Sequence, residues 1–161
     1  MVKTVEEKIE LTVEWIREQG KLSGTNGVLV GLSGGIDSSL VGALIKKAFP
    51  ENALGVILPC KSNPKDALDG IALAEAIGLE YLTIDLSEEH DLLIGKIQRR
   101  LEGFDVKNEK LADANLRARL RMTTLYGVAN SLGYLVAGTD NAAEVLTGYF
   151  TKYGDGGVDI I

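Results

Sequence analysis

Glycine, serine and aspartate are concentrated in residues 31–39, which read Gly-Leu-Ser-Gly-Gly-Ile-Asp-Ser-Ser. The adjacent glycines, Gly34 and Gly35, permit positive φ and let a phosphate approach backbone N–H groups that a Cβ would block. The three serine hydroxyls add further hydrogen-bond donors. Asp37 would repel a phosphate unless a cation lies between them, so this stretch predicts a phosphate site that also binds Mg²⁺.

The elements around this stretch place it at the start of a helix. A short apolar run at 28–32 predicts a buried strand, and apolar residues at helical spacing follow from Leu40. A strand, a glycine turn and a helix together surround an anion with N–H groups at the helix N-terminus. The spacing matches neither the P-loop nor the dinucleotide fingerprint Gly-x-Gly-x-x-Gly. The plain alternative is a glycine-rich turn that binds nothing.

Composition limits the classes of protein to which the chain can belong. Its 161 residues are 45% hydrophobic and 25% charged, which is ordinary for one globular domain. The net charge of −6 argues against non-specific binding to nucleic acid or to an anionic membrane. The single cysteine, Cys60, excludes an internal disulfide, and with one histidine a Cys/His zinc site is excluded; we interpret Cys60 as structural. No segment has membrane length or a signal-peptide core, so we expect a cytoplasmic protein.

Predicted strands and helices alternate along the chain. The strands are 28–32, 53–58, 80–85 and 134–137, and the helices are 4–20, 40–49, 65–78, 90–101 and 111–132, with a break at Gly103-Phe104. Thr4 and Glu7 fit a capping box, and Gly20 fits a C-terminal stop. This alternation is typical of an α/β, doubly wound parallel sheet. A strand order of 3-2-1-4 would bring residues 31–39 and 138–144 to the reversal point, where ligands bind.

The second of these loops supplies further candidates for the same site. Gly138-Thr139 repeats the combination of close backbone approach and a hydroxyl donor. Glu144, in a short helix starting near Asn141, is a second oxygen ligand for the cation that Asp37 needs. A solvated helix carboxylate is an equally good interpretation of Glu144, and Asp140 fits a helix N-cap.

Two other segments carry unusual side chains. Residues 149–159 combine three glycines with aromatic and charged residues, so we expect a loop whose aromatic side chains contact a ligand. A flexible polar lid without a ligand is the alternative. Arg117 and Arg121 share one helix face and Arg119 points away; such a run usually forms a solvated basic face, and at most one or two of these arginines should enter a site. We interpret His90 as a helix-end residue.

Four motifs together resemble the NAD synthetase family. They are Ser33-Gly-Gly-Ile-Asp-Ser38, Asn115-Leu-Arg-Ala-Arg-Leu-Arg-Met122, Gly138-Thr-Asp-Asn-Ala-Ala-Glu144 and the segment 149–159. The first is shared by all N-type ATP pyrophosphatases, and the last is close to diagnostic for this family. The resemblance implies an adenine-nucleotide alpha-hydrolase-like (Rossmann-like) fold. It also implies that 1–161 is a single synthetase domain cut short at its C-terminus. Family members continue past this point with further ligand-binding residues, and that continuation would include a possible additional strand.

The resemblance further implies a reaction and a residue for each task. The carboxylate of nicotinic acid adenine dinucleotide attacks the α-phosphate of ATP, pyrophosphate leaves, and ammonia displaces AMP to give NAD⁺. The implied residues are, for ATP, Gly31, Leu32, Ser33, Gly34, Gly35, Ile36, Asp37, Ser38 and Thr139; for catalysis, Asp37 and Ser33; for the dinucleotide, Arg119, Lys152 and Asp159; and for Mg²⁺, Asp37 and Glu144. We expect a homodimer that takes free ammonia, or ammonia from a separate subunit, and that has no nucleic-acid or membrane partner.

Two other classes of protein share part of this pattern. A GMP synthetase or a tRNA-modifying N-type enzyme would have the first loop but not the segment 149–159, and a tRNA enzyme would also need a basic domain. A non-catalytic module that binds adenine nucleotides would need neither Glu144 nor the aromatic loop.

Overall fold

The computed structural model describes residues 3–101 and 106–161. Its elements are α1 (Val5–Ser23), β1 (Gly27–Gly31), α2 (Ile36–Ala48), β2 (Ala53–Ile57), α3 (Pro64–Ile77), β3 (Glu80–Thr83), α4 (Ser87–Gln98), α5 (Val106–Leu132), β4 (Tyr134–Ala137) and α6 (Ala142–Thr147). The break predicted at Gly103-Phe104 lies outside the described residues.

The four strands form one parallel sheet in the order β3-β2-β1-β4, so the predicted order and the doubly wound α/β class are confirmed. Successive residues of β1 point to opposite faces of the sheet. Val28 and Val30 join the core cluster formed with α1, α2 and α3. Leu29 joins the cluster on the other face, which Met122 and Leu125 of α5 complete. Both faces of β1 are therefore buried, which explains its unbroken apolar sequence.

Several predicted boundaries are shifted. The Thr4–Glu7 capping box is confirmed, but α1 runs past Gly20 and ends at Gly24, whose φ of 68° suits a glycine C-cap. Helix α4 begins at Ser87 instead of His90 and ends at Gln98 instead of Leu101, which places His90 in its first turn. On the open edge of β4, Ile160 forms a parallel bridge with Ala137. One bridged pair is not a strand, so the additional strand stays a prediction.

Helix α5 is much longer than the strands on which it packs. Its 27 residues span about 40 Å, whereas a five-residue strand spans about 17 Å. Leu125 lies over the end of β1, because a Cβ added to Gly31 would be 3.3 Å from Leu125 Cδ1. The part of α5 before Leu125 therefore extends beyond the C-terminal edge of the sheet and forms a wall there. Among residues 3–101 and 106–161, no helix combines the length and apolar character needed to cross a bilayer.

Candidate functional site

A cleft of about 940 Å³ lies at the C-terminal edge of the sheet. Its lining includes eight of the residues predicted for ATP or Mg²⁺, namely Gly31, Leu32, Ser33, Gly35, Asp37, Ser38, Thr139 and Glu144. Asp37 Oδ2 lies 3.5 Å from Asn141 Nδ2, although 104 residues separate the two along the chain. The strand order thus brings the two loops together as predicted, at the reversal point between β1 and β4.

Serine side chains hold the first loop in shape. The buried Ser38 hydroxyl donates to the Gly35 carbonyl at 3.0 Å and accepts from the Ser33 backbone N–H at 3.2 Å. Ser39 Oγ also donates to the Gly35 carbonyl, at 2.7 Å. Two of the three serines expected to offer hydroxyl protons to a phosphate therefore use them inside the loop. The backbone N–H groups at the start of α2, which has no side-chain cap, remain the main donors for a ligand.

The two adjacent glycines have different reasons for being glycine. Gly34 has a φ of 81°, and a Cβ there would lie 2.5 Å from the Asp66 carbonyl oxygen of α3. Gly35, the N-cap of α2, has a φ of −82°. A Cβ on Gly35 would find only Ser33 Oγ nearby, at 3.4 Å. The prediction of positive φ is confirmed for Gly34 and wrong for Gly35, which instead leaves open space at the start of α2.

The second loop is organised by Asn141. Its side-chain oxygen accepts from the Ala143 and Glu144 N–H groups, while Glu144 Oε2 accepts from the Asn141 N–H at 3.0 Å. Asn141 is therefore the N-cap of α6, and the interpretation of Asp140 as the N-cap is wrong. Both predicted metal ligands, Asp37 and Glu144, contact Asn141. In the described part of the chain no three His, Cys, Asp or Glu residues are grouped as a metal site, so the magnesium pair stays a prediction.

Asp140 is the carboxylate with the most unfavourable surroundings in the cleft. Its Oδ2 atom is buried and has no hydrogen-bond partner among the described residues. Burial, followed by the negative charges of Asp155 and Glu144, raises the pKa of Asp140. The cleft as a whole is lined by six carboxylates and three cationic side chains, which are Asp37, Asp66, Asp85, Asp140, Glu144 and Asp155, with Lys61, Arg117 and Arg121. A polyphosphate entering this cleft needs accompanying cations.

Two arginines of α5 line the cleft, and sequence reasoning did not assign them to it. Arg117 and Arg121 share the face that looks into the cleft, as their spacing predicted, whereas Arg119 is not part of the lining. The four-residue spacing on a helix of this length is the signal that could have identified them. Arg119 Nε donates instead to the Lys152 carbonyl at 3.1 Å. That contact joins two of the predicted substrate residues, whose roles stay predictions.

The loop 149–159 is attached to the protruding half of α5. Thr151 Oγ1 donates to Asn115 Oδ1 at 2.9 Å, and the Thr151 N–H donates to Asp155 Oδ1 at 2.7 Å. The side chains of Tyr149 and Tyr153 are 78% and 73% exposed, so these aromatic rings do not serve the core. Lys152 Nζ lies 5.0 Å from the centre of the Tyr153 ring. The loop, whose Asp155 and Val158 line the cleft, therefore presents two exposed aromatic rings and a cation.

Asp159 anchors the end of this loop to the sheet. Its Oδ2 atom accepts from the Val136 N–H at 2.8 Å, and its Oδ1 atom accepts from the Tyr126 hydroxyl at 2.9 Å. Burial, with a smaller effect of Asp159, raises the pKa of Tyr126 to about 12. The predicted substrate role of Asp159 is untested, but both of its oxygens already accept hydrogen bonds within the protein.

The Tyr126–Asp159 contact gives an expected pH dependence. Because the pKa of Tyr126 is raised in the folded state, its contribution to stability is complete below the unfolded value of about 10. It is lost as the pH rises through the folded value of about 12. The stability advantage of the protein over Tyr126→Phe should therefore shrink across this window in denaturant titrations. Tyr81→Phe, which removes an exposed hydroxyl, should leave that pH dependence unchanged; if it does not, the assignment to Tyr126 is wrong.

Two residues interpreted as structural are buried. His90 is fully buried in the first turn of α4. Cys60 is a free, fully buried cysteine whose Sγ lies 3.7 Å from the Leu86 carbonyl oxygen. Burial raises the pKa of the Cys60 thiol, so the thiolate needed for nucleophilic chemistry is disfavoured.

Comparison with known proteins agrees with this geometry. The model of the NAD synthase family matches residues 8–161. The NH(3)-dependent NAD(+) synthetase of Alkaliphilus oremlandii is 58% identical over 164 residues, which cover 100% of this chain and 66% of that protein. Among solved structures, an NMN synthetase from Francisella tularensis has a TM-score of 0.90 at 32% identity and covers 99% of this chain and 64% of its own. An NH3-dependent NAD synthetase from Campylobacter jejuni, solved with a nitrate ion, has a TM-score of 0.87 at 34% identity, with 99% and 66% coverage. This chain thus spans about two thirds of the length of these relatives.

Proposed function

The chain belongs to the NAD synthase family, and from that premise we propose that the complete protein amidates nicotinic acid adenine dinucleotide to NAD⁺. The dinucleotide carboxylate attacks the α-phosphate of ATP, and the bond to the β-phosphate breaks to release pyrophosphate. Ammonia then attacks the adenylated carboxyl group, loses a proton and displaces AMP. The observation that supports this most is the convergence of Asp37 and Glu144 on Asn141, beside the open amide groups at the start of α2.

The proposed nucleotide site needs little acid–base chemistry from the protein. The loop 31–38, chiefly through the backbone N–H groups at the start of α2, and the Thr139 hydroxyl would bind ATP. Ser33 would assist Asp37 at the reacting α-phosphate. Asp37 and Glu144 would hold Mg²⁺, since both present the hard oxygen ligands that this ion prefers. When bound, the ion supplies the positive charge that a cleft lined by six carboxylates lacks. Preorganised charge of this kind is the main catalytic contribution in phosphoryl chemistry.

The dinucleotide would lie at the rim formed by α5 and the loop 149–159. Arg119 donates to the Lys152 backbone carbonyl, so the helix and the loop that carry these two cationic side chains are joined at this point. Asp159 would contact the dinucleotide through lone pairs left over from its bonds to Tyr126 and Val136. Nicotinate recognition would thus combine cationic groups with the exposed aromatic rings of this loop.

An assay with competing acceptors tests the proposed reaction. The complete protein would be incubated with ATP, Mg²⁺ and ammonium, and NAD⁺, AMP and pyrophosphate would be measured together. We expect equal amounts of all three with nicotinic acid adenine dinucleotide. Nicotinic acid mononucleotide is the second acceptor to test, because one structural neighbour is an NMN synthetase. Faster turnover with the mononucleotide, or with a GMP precursor, would contradict the proposal.

Removing the Lys152 ammonium should separate the two substrates. We expect Lys152→Ala to raise the KM for the dinucleotide about tenfold, the cost of one charge-assisted hydrogen bond, with ATP affinity nearly unchanged. The Arg119 contact uses the Lys152 backbone carbonyl, so the loop should keep its attachment. Lys47→Ala, which removes a lysine paired with Glu10 away from the cleft, is the control. Equal weakening of both substrates would show that the loop is not specific for the dinucleotide.

We also propose that the complete protein is a cytoplasmic homodimer. Leu146 and Tyr149 leave 87% and 78% of their surface exposed, and an interface would cover such apolar side chains. A lone buried thiol is compatible with a reducing compartment. Light scattering at several protein concentrations should give twice the monomer mass, and a monomer throughout would contradict the proposal.

A further inference from the structure

Arg117 and Arg121 form a cationic strip on the protruding half of α5. Arg121 lies at the edge of the sheet, where its Nε donates to the Leu58 carbonyl at 3.0 Å and its Nη2 to Ser62 Oγ at 2.9 Å. Arg117 lies one helical turn farther out, about 6 Å along the axis. Both line the cleft. The strip therefore runs along the cleft wall from the edge of the sheet outward.

The strip carries more positive charge than its protein partners neutralise. Arg117 Nη2 is 2.8 Å from Asp113 Oδ2. In the described chain, Arg121 has no carboxylate within ion-pair distance. Burial lowers the pKa of Arg121, and the nearby charge of Arg117 adds to this effect. Of the two guanidinium groups beside the open cleft, only that of Arg117 has a carboxylate partner among the described residues, which favours the binding of an anion.

A buried histidine contacts the same carboxylate from a different helix. His90 of α4 is 0% exposed, and its Nε2 lies 3.0 Å from Asp113 Oδ1, a hydrogen-bonding distance with a poor angle. Neither ring nitrogen has a well-aligned partner among the described residues. Burying an imidazole in this way costs free energy that leucine or methionine would not. His90 is not part of the cleft lining, so direct ligand contact does not account for it.

We propose that His90 and Asp113 are positioning residues that fix the Arg117 guanidinium as a binding group for a phosphate chain. Arg117 has five N–H donors, and the Asp113 contact leaves others for a ligand. Asp113 lies one turn beyond Arg117 on the same helix, and His90 ties that turn to α4. The inference rests on the proposed function only in taking the cleft as a polyphosphate site.

Binding measurements on the complete protein test this inference. Inorganic pyrophosphate, ATP and the dinucleotide would be titrated calorimetrically in the presence of Mg²⁺, so that the three arms show which phosphate chain meets Arg117. We expect Asp113→Asn to raise the Kd of at least one of them about tenfold. In an Arg117→Gln background the same change should cause no further loss. Undiminished affinity in Asp113→Asn, or the same loss in both backgrounds, would overturn the inference.

Variants at His90 separate positioning from packing. His90→Gln keeps a hydrogen-bond donor for Asp113, whereas His90→Leu fills the space without a donor. Whichever of the three ligands Asp113→Asn weakens should therefore bind to His90→Gln at least about threefold more tightly than to His90→Leu. Equal affinities of His90→Gln and His90→Leu, even if their melting temperatures differ, would show that His90 contributes only packing. If a His90 variant does not fold, Arg117→Lys keeps the charge but not the planar fork and should also weaken binding; unchanged affinity there would overturn the inference.

A matched ion pair controls for general effects of charge. Lys65 and Asp69 form an i,i+4 pair on α3, and neither residue lines the cleft. Asp69→Asn should leave all three affinities unchanged. Assaying NAD⁺ formation on the wild-type preparation separates the two hypotheses. If the wild-type protein forms NAD⁺ but the Asp113 and His90 variants bind all three ligands with unchanged affinity, the positioning role alone is overturned. If these variants bind pyrophosphate more weakly but the wild-type protein forms no NAD⁺, the proposed function alone is overturned.

Discussion

Asp37→Asn should reduce pyrophosphate release by the complete protein at least about 100-fold, while ATP affinity falls much less. Charge develops on the α-phosphate as the leaving group departs, so a metal ligand matters more in the transition state than in the ground state. Loss of one preorganised charge-stabilising group typically costs a factor of about 10² to 10³ in kcat. Asp37 lines the cleft in the first turn of α2, beside the second loop, so asparagine keeps the shape and removes only the charge. Pyrophosphate release and equilibrium ATP binding measure the two effects separately.

Glu144→Gln is a second test of this prediction, and Asp69→Asn is its control. Glutamine at position 144 keeps a side-chain oxygen for the Asn141 N–H, so the variant should fold and should show the same kinetic defect with a smaller size. Asp69→Asn removes a carboxylate from the outer surface of α3 and should leave the rate unchanged. Wild-type pyrophosphate release by Asp37→Asn would remove Asp37 from the catalytic machinery, and with it the magnesium pair.

The parts of the fold that could be predicted from the sequence are those determined by local sequence patterns. The apolar run before residue 33 predicted a strand buried on both faces, because only such a strand can omit polar residues. The glycine pair marked the turn between β1 and α2, although α2 begins at Ile36, four residues before the predicted start. The strand order follows because short helical connections join the first three strands and a two-helix connection precedes the fourth. The meeting of Asp37 with the Asn141 loop is a direct consequence of that order.

The parts that were missed depend on contacts between distant elements. That Arg117 and Arg121 face the cleft follows from α5 projecting beyond the sheet, which depends on helix lengths and packing instead of on residue type. Sequence also could not show that Ser38 closes the loop internally, since the same hydroxyl would serve a phosphate equally well. The bonds of Asp159 to Tyr126 and to the Val136 N–H span 33 and 23 residues. Such pairings carry no local signature.

The different environments of Gly34 and Gly35 give the second large expected effect. Gly34→Ala forces an L side chain to a φ of 81° and places its Cβ 2.5 Å from the Asp66 carbonyl oxygen. The backbone strain alone costs about 1–2 kcal/mol, and the contact with rigid backbone adds to it, so we expect a loss of at least about 2 kcal/mol in the free energy of unfolding. Denaturant titration measures this loss.

Gly35→Ala should have the opposite profile. Its φ of −82° is open to alanine, and its Cβ would meet only Ser33 Oγ at 3.4 Å, so the free energy of unfolding should change by less than about 1 kcal/mol. The methyl group would nevertheless occupy the space where a phosphate reaches the first amide groups of α2, and ATP affinity should fall at least about 30-fold. Gly127→Ala, in α5 at a helical φ open to alanine and with nothing within 4 Å of its Cβ, controls for loss of a glycine alone and should retain ATP binding. Unchanged ATP affinity in Gly35→Ala would mean that no phosphate lies at the start of α2, because a bound phosphate and this methyl group would compete for the same volume.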